Sequence, residues 1–145
     1  AGGLDENQKL SQESIESALL CLEKFGQRIK TIPAPNIRAV GTNTLRQARN
    51  GVEFLTQANT ALGHKIEIIS GREEARLVYL GVANTIFNDT DKRLIVDIGG
   101  GSTELIIGQG FDAHITESLF MGCVKISKQF FKRWRYALTI HTFSM

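Results

Sequence analysis

An α/β chain with a locally antiparallel hairpin is what the sequence predicts. Stretches of helical periodicity alternate with short β-branched runs, and two of those runs flank a Gly99-Gly100-Gly101-Ser102 turn. In chain order, Ser11 is a plausible N-cap before Ile15, Ala18, Leu19, Leu22, Phe25 and Ile29 at helical spacing. Glu13 and Glu16 fall in its early turns and Lys24, Arg28 and Lys30 in its late ones, as the helix dipole favours. Gly26 costs this helix roughly 1 kcal/mol relative to alanine, which weakens its last turn. Pro33 and Pro35 end it.

Residues 36–40 read as a short buried strand, and Gly41-Thr42-Asn43-Thr44 as a turn into a helix. Asn50-Gly51 interrupts that helix, which resumes at Val52 and stops before Gly63. Residues 65–70 alternate as a strand does, and residues 73–83 carry a helical pattern. A β-branched run over 93–98 and its continuation over 104–107 form the hairpin, 114–119 a third strand, and a helix follows from about Val124.

The 145 residues, 42% hydrophobic and 22% charged, suit one soluble domain with a single core. No apolar run approaches the roughly 18 residues that cross a bilayer, and no secretory leader is visible. Cys21 and Cys123 lie far apart and in no metal-binding pattern, so buried or inert thiols and a cytoplasmic location are expected. His64, His114 and His141 are scattered, which argues against zinc. After Glu117 no acidic residue remains, while Lys125, Lys128, Lys132, Arg133 and Arg135 follow. That stretch either attracts a polyanion or forms a solvated helix face. No nucleic-acid partner is expected.

Three segments carry chemistry. Three consecutive glycines at 99–101 can aim backbone N–H groups at one phosphate, with Ser102 and Thr103 adding hydroxyls. Asp97 and Glu104 flank that turn as candidate magnesium ligands; the plainer reading is a tight hairpin between core strands. Ser70-Gly-Arg-Glu-Glu-Ala-Arg76 sits where a strand enters a helix, so a carboxylate there can deprotonate a water. Acids are also common in a first helical turn for dipole reasons alone. Arg46, early in its helix, offers a forked cation for phosphate oxygens or for a neighbouring acid.

Gly41-Thr-Asn-Thr-Leu-Arg-Gln-Ala48, Ile66-Glu-Ile-Ile-Ser-Gly-Arg-Glu-Glu-Ala-Arg-Leu77 and Val96-Asp-Ile-Gly-Gly-Gly-Ser-Thr-Glu-Leu105 occur in the order and spacing of one family. Together they resemble the exopolyphosphatase/guanosine-pentaphosphate phosphohydrolases, and Met121-Gly-Cys-Val124 extends the resemblance, which covers about residues 1–131. It implies a ribonuclease H-like lobe, a mixed sheet flanked by helices, shared with actin, sugar kinases and chaperone ATPases. It further implies Glu74 as general base, Asp97 and Glu104 as Mg2+-linked carboxylates, and residues 99–103 as a phosphate loop contacted also by Arg46. The implied substrates are inorganic polyphosphate or guanosine pentaphosphate.

Family members place another phosphate loop ahead of residue 1 and a second lobe beyond residue 145. The chain is therefore expected to be an incomplete lobe over 1–131, with little activity alone, and a divergent basic tail over 132–145. An ATP-dependent kinase of the same superfamily and a non-catalytic assembly lobe, such as a homodimer, are the competing expectations.

Overall fold

Ser11 opens the first helix as its sequence predicts: its hydroxyl accepts from the Ser14 N–H at 3.2 Å, and α1 runs Gln12–Ile29. The structure, a computed structural model, describes residues 4–86 and 91–131. The expected tail 132–145, with Lys132, Arg133 and Arg135, lies outside the described residues. α1 does not weaken at Gly26. A methyl group there would fall 2.7 Å from the Leu62 carbonyl oxygen, so glycine is what lets α1 approach the end of α3 (Gly51–Leu62). α3 buries Phe54, Ala58 and Leu62 at helical spacing, and Gly63 closes it at φ 74°.

The buried strand expected over 36–40 starts later. Pro33 seeds a 3-10 turn, Ala34–Asn36, in which the Asn36 N–H donates to the Pro33 carbonyl at 2.8 Å. β1 then spans only Ala39–Gly41 and leaves Val40 partly exposed. It pairs in parallel with β2 (Ile66–Ile68), Gly41 opposite Ile68, and the short helix α2 (Asn43–Gln47) follows β1.

α4 (Gly71–Ala83) starts from Ser70, whose hydroxyl accepts from the Glu73 N–H. Its buried stripe, Ala75, Tyr79 and Ala83, meets Ile106 on an antiparallel sheet with Val78, Ile95 and Ala113 around it. That sheet has the order β3 (Lys92–Ile98), β4 (Thr103–Gln109), β5 (Asp112–Leu119). The mixed sheet expected from the resemblance is thus divided: the parallel pair and the antiparallel triplet are separate hydrogen-bonded sheets. Both hairpins fold from neighbouring residues, whereas the parallel pair needs a crossover.

The 93–98 run reads as buried, yet Leu94 is 63% and Ile98 66% exposed. β3 is an edge strand, and only the face bearing Arg93, Ile95 and Asp97 lies less exposed. α5 (Cys123–Phe130) closes the described chain. Gly81 lies in α4 with open space where a side chain would stand. Gly81→Ala is therefore expected to raise stability by about 0.5–1 kcal/mol, read as a higher midpoint of urea unfolding.

Candidate active site

The β3–β4 register fixes the glycine turn. Ile98 pairs with Thr103, which leaves residues 99–102 to make the connection. The Gly99 N–H donates to the Ser102 carbonyl at 3.0 Å. The Gly99 and Gly100 carbonyls accept from the Cys123 and Val124 N–H groups at 2.9 and 3.0 Å. α5 therefore occupies the first two carbonyls of the turn. The N–H groups of Gly100, Gly101 and Ser102 make no hydrogen bond among the described residues, and three successive donors are what an anion nest requires.

Two further contacts hold the turn. A methyl on Gly122 would fall 2.4 Å from Gly100 C and Gly101 N, so glycine admits the start of α5 against the turn. A methyl on Gly101 would fall 2.1 Å from Asn43 Nδ2, which places the Asn43 amide on the glycines. Gln47 Nε2 donates to Asn43 Oδ1 at 2.8 Å and orients that amide.

These elements enclose a cleft of about 550 Å³. Residues 99–102 form one wall; Thr42, Asn43, Thr44 and Gln47 form another. Glu74 enters from α4, and Val124, Lys125 and Lys128 line the α5 side. Of the residues the sequence nominated, Glu74, Gly99, Gly100, Gly101 and Ser102 come together in this cleft.

Glu74 is 17% exposed and pairs with Arg46, Nη1 to Oε2 at 3.0 Å. The same Arg46 nitrogen donates to the Ile69 carbonyl at 2.7 Å. Arg46 therefore stands behind Glu74 rather than on the cleft wall. The adjacent Glu73 points elsewhere. It receives a forked pair from Arg76 at 2.8 and 2.9 Å, and Arg38 lies within 3.5 Å. The hydrogen bonds from Arg76 hold its carboxyl below the usual carboxylate range, against an opposing effect of desolvation. With its folded value depressed, this pair contributes above the ordinary carboxylate range and is lost as pH falls through the folded value.

Thr103 does not line the cleft; its hydroxyl donates to the Met121 carbonyl, tying the turn to the segment before α5. Asp97 and Glu104 face each other across β3 and β4. Neither lines the cleft. Glu104 is 1% exposed and accepts from Ser118 Oγ at 2.8 Å, while the Asp97 side chain makes no hydrogen bond among the described residues. Among those residues no group of three His, Cys, Asp or Glu forms a metal cage. Of the two carboxylates, Asp97 is the less buried and keeps its side chain free for a hydrated magnesium ion, whereas Glu104 is buried and already accepts from Ser118. Ser118→Ala removes the hydroxyl from a buried carboxylate and is expected to cost about 1–3 kcal/mol, measured by chemical unfolding.

Sequence reasoning missed Asn43, Gln47, Lys125 and Lys128 as cleft residues. The signals were an Asn/Gln pair four residues apart and two lysines three apart on one helix. Of the two states expected for the thiols, burial does not hold, since Cys21 and Cys123 are both exposed. No helix among the described residues is long and apolar enough to cross a membrane.

Fold and cleft together define an α/β protein with a glycine-lined cleft. The chain belongs to the Ppx/GppA phosphatase family, whose model matches residues 1–141. That match runs ten residues into the segment 132–145. A guanosine-5'-triphosphate,3'-diphosphate pyrophosphatase of Vibrio vulnificus is 54% identical over 132 residues, 91% of this chain and 26% of the relative. The Aquifex aeolicus PPX-GPPA enzyme superposes with TM-score 0.74 at 32% identity, over 89% of this chain and 43% of that one. An exopolyphosphatase from Cytophaga hutchinsonii gives TM-score 0.80 at 27% identity, over 89% and 41%. The chain thus spans about a quarter of the length of the curated relatives it matches.

Proposed function

We propose that this chain supplies the core of a phosphoanhydride hydrolase that releases terminal phosphate from guanosine pentaphosphate or inorganic polyphosphate. The observation carrying this reading is the juxtaposition, in one cleft, of the Glu74 carboxylate and the N–H groups of Gly100, Gly101 and Ser102. The names of the curated relatives support the pentaphosphate, and the Cytophaga hutchinsonii neighbour supports polyphosphate.

The terminal phosphate would sit in the glycine turn, its charge met by the backbone N–H groups and Ser102. Asn43 adds a side-chain donor beside Gly101. Glu74 takes a proton from a water as that water attacks the terminal phosphorus. The bridging P–O bond breaks, and its electron pair leaves with the remaining phosphate chain. Arg46 holds the carboxylate in place through their 3.0 Å pair. A magnesium ion held through its waters by Asp97, with Glu104 beside it across the strands, would when bound supply charge neutralisation to the phosphates. In phosphoryl transfer the protein mainly positions groups and stabilises charge, so this sparse set is chemically adequate.

Turnover by the chain alone is expected to be slow, because losing even one preorganised donor costs about 100- to 1000-fold. The test is phosphate release under single-turnover conditions with magnesium, from guanosine pentaphosphate and from long-chain polyphosphate. Release that depends on Glu74 supports the reading. Release that continues unchanged in Glu74→Gln contradicts it.

A further inference from the structure

The α5 side of the cleft carries cations that the terminal-phosphate reading does not use. Lys125 and Lys128 are three residues apart on α5, so they share one helix face, and both line the cleft. The helix begins at Cys123, hydrogen-bonded to the Gly99 carbonyl. At 1.5 Å per residue, Lys125 lies about 3 Å and Lys128 about 7.5 Å along the axis from that anchor. The two residues are therefore staggered along α5, Lys128 about one turn farther than Lys125 from that anchor. Lys125 Nζ donates to the Phe120 carbonyl at 2.9 Å, which holds it near the turn. Among the described residues Lys128 has no hydrogen-bond or ion-pair partner, and Glu74 is the only acidic one of them that lines the cleft.

We propose that Lys125 and Lys128 bind the phosphates next to the terminal one, so that the site recognises a run of phosphoanhydride-linked phosphates rather than a single phosphate. This rests on the glycine turn holding the terminal group. An ammonium is a compact point charge with three donors, suited to a chain of phosphates whose oxygens have no fixed orientation. The shared chemistry covers an inorganic polyphosphate and the 5′-phosphates of a nucleotide alike.

The test is calorimetric titration of the chain with orthophosphate, inorganic tripolyphosphate and GTP at low salt. Tripolyphosphate is expected to bind at least tenfold tighter than orthophosphate. Lys128→Met is expected to remove about five- to tenfold of that difference without changing orthophosphate affinity, and Lys128→Arg to restore it. Equal losses for tripolyphosphate and GTP assign Lys128 to the phosphate run. A loss confined to GTP assigns it to the nucleoside and overturns the proposal. Unchanged tripolyphosphate binding in Lys128→Met, alongside loss of orthophosphate binding in Gly101→Ala, overturns the proposal and leaves the glycine turn standing. No binding of any of the three ligands by the parent chain overturns both.

Discussion

Replacing Glu74 by glutamine is expected to lower phosphate release about 100- to 10,000-fold, the range a positioned general base contributes. The amide retains the size of the side chain and can still accept from Arg46, so the change removes basicity and little else. The Glu74 carboxylate sits in the cleft, 3.0 Å from Arg46 and 17% exposed. Binding of orthophosphate should change by only a few-fold, because the nest N–H groups remain. The paired control is Glu73→Gln. Glu73 faces Arg76 and Arg38 outside the cleft and is expected to change release less than about threefold. Rates from rapid-quench single turnovers, with affinity from calorimetry, separate the two effects. Equal losses in the two variants would remove Glu74 from its proposed role.

Gly122→Ala is the substitution with the largest expected effect on the site's architecture. Gly122 has φ −113° and ψ 163°, a conformation alanine adopts freely, so no backbone strain is involved. The obstacle is space. The added methyl would lie 2.4 Å from two backbone atoms of the turn and 2.5 Å from a third, the Gly100 oxygen, and backbone cannot swing aside as a side chain can. Overpacking of this sort costs about 1–3 kcal/mol. The start of α5 must move away, and with it the N–H groups that occupy the Gly99 and Gly100 carbonyls. The expected result is a lower unfolding midpoint together with loss of orthophosphate binding. The midpoint comes from circular dichroism and the binding from calorimetry at a temperature where the variant remains folded.

The parts of this fold legible in the sequence are those set by nearby residues. Ser11 and Ser70 announce their helices through side chains that reach only three residues on. Gly63 announces the end of α3 by its left-handed conformation. The hairpin around residues 99–102 was equally plain, because alternation and turn chemistry agree there. Partition into two sheets was not legible, since nothing local to 39–41 or 66–68 says which strands they join.

The site divided in the same way. The glycine turn was readable as a possible anion nest from its residues, and the resemblance singled out Glu74 over Glu73. Periodicity alone could not separate those two glutamates. Ala75, Tyr79 and Ala83 set the buried stripe of α4, and at about 100° per residue both acids fall off it, on opposite flanks. Long-range neighbours decide between them: Arg38 on one flank, Arg46 and the cleft on the other. The same holds for Asp97 and Glu104, whose pairing was visible from the hairpin. Their position behind the cleft wall depends on Ser118 and α4, which the motif does not contain.

The central claim is that the turn at residues 99–102 binds a phosphate through its backbone. Titration of the 15N-labelled chain with orthophosphate, followed amide by amide in solution NMR, tests it most directly. The account predicts saturable downfield shifts concentrated at the Gly100, Gly101 and Ser102 amides, with Gly99, already bonded to Ser102, moving less. Shifts scattered over surface lysines, or none at these three amides at saturating phosphate, would contradict it.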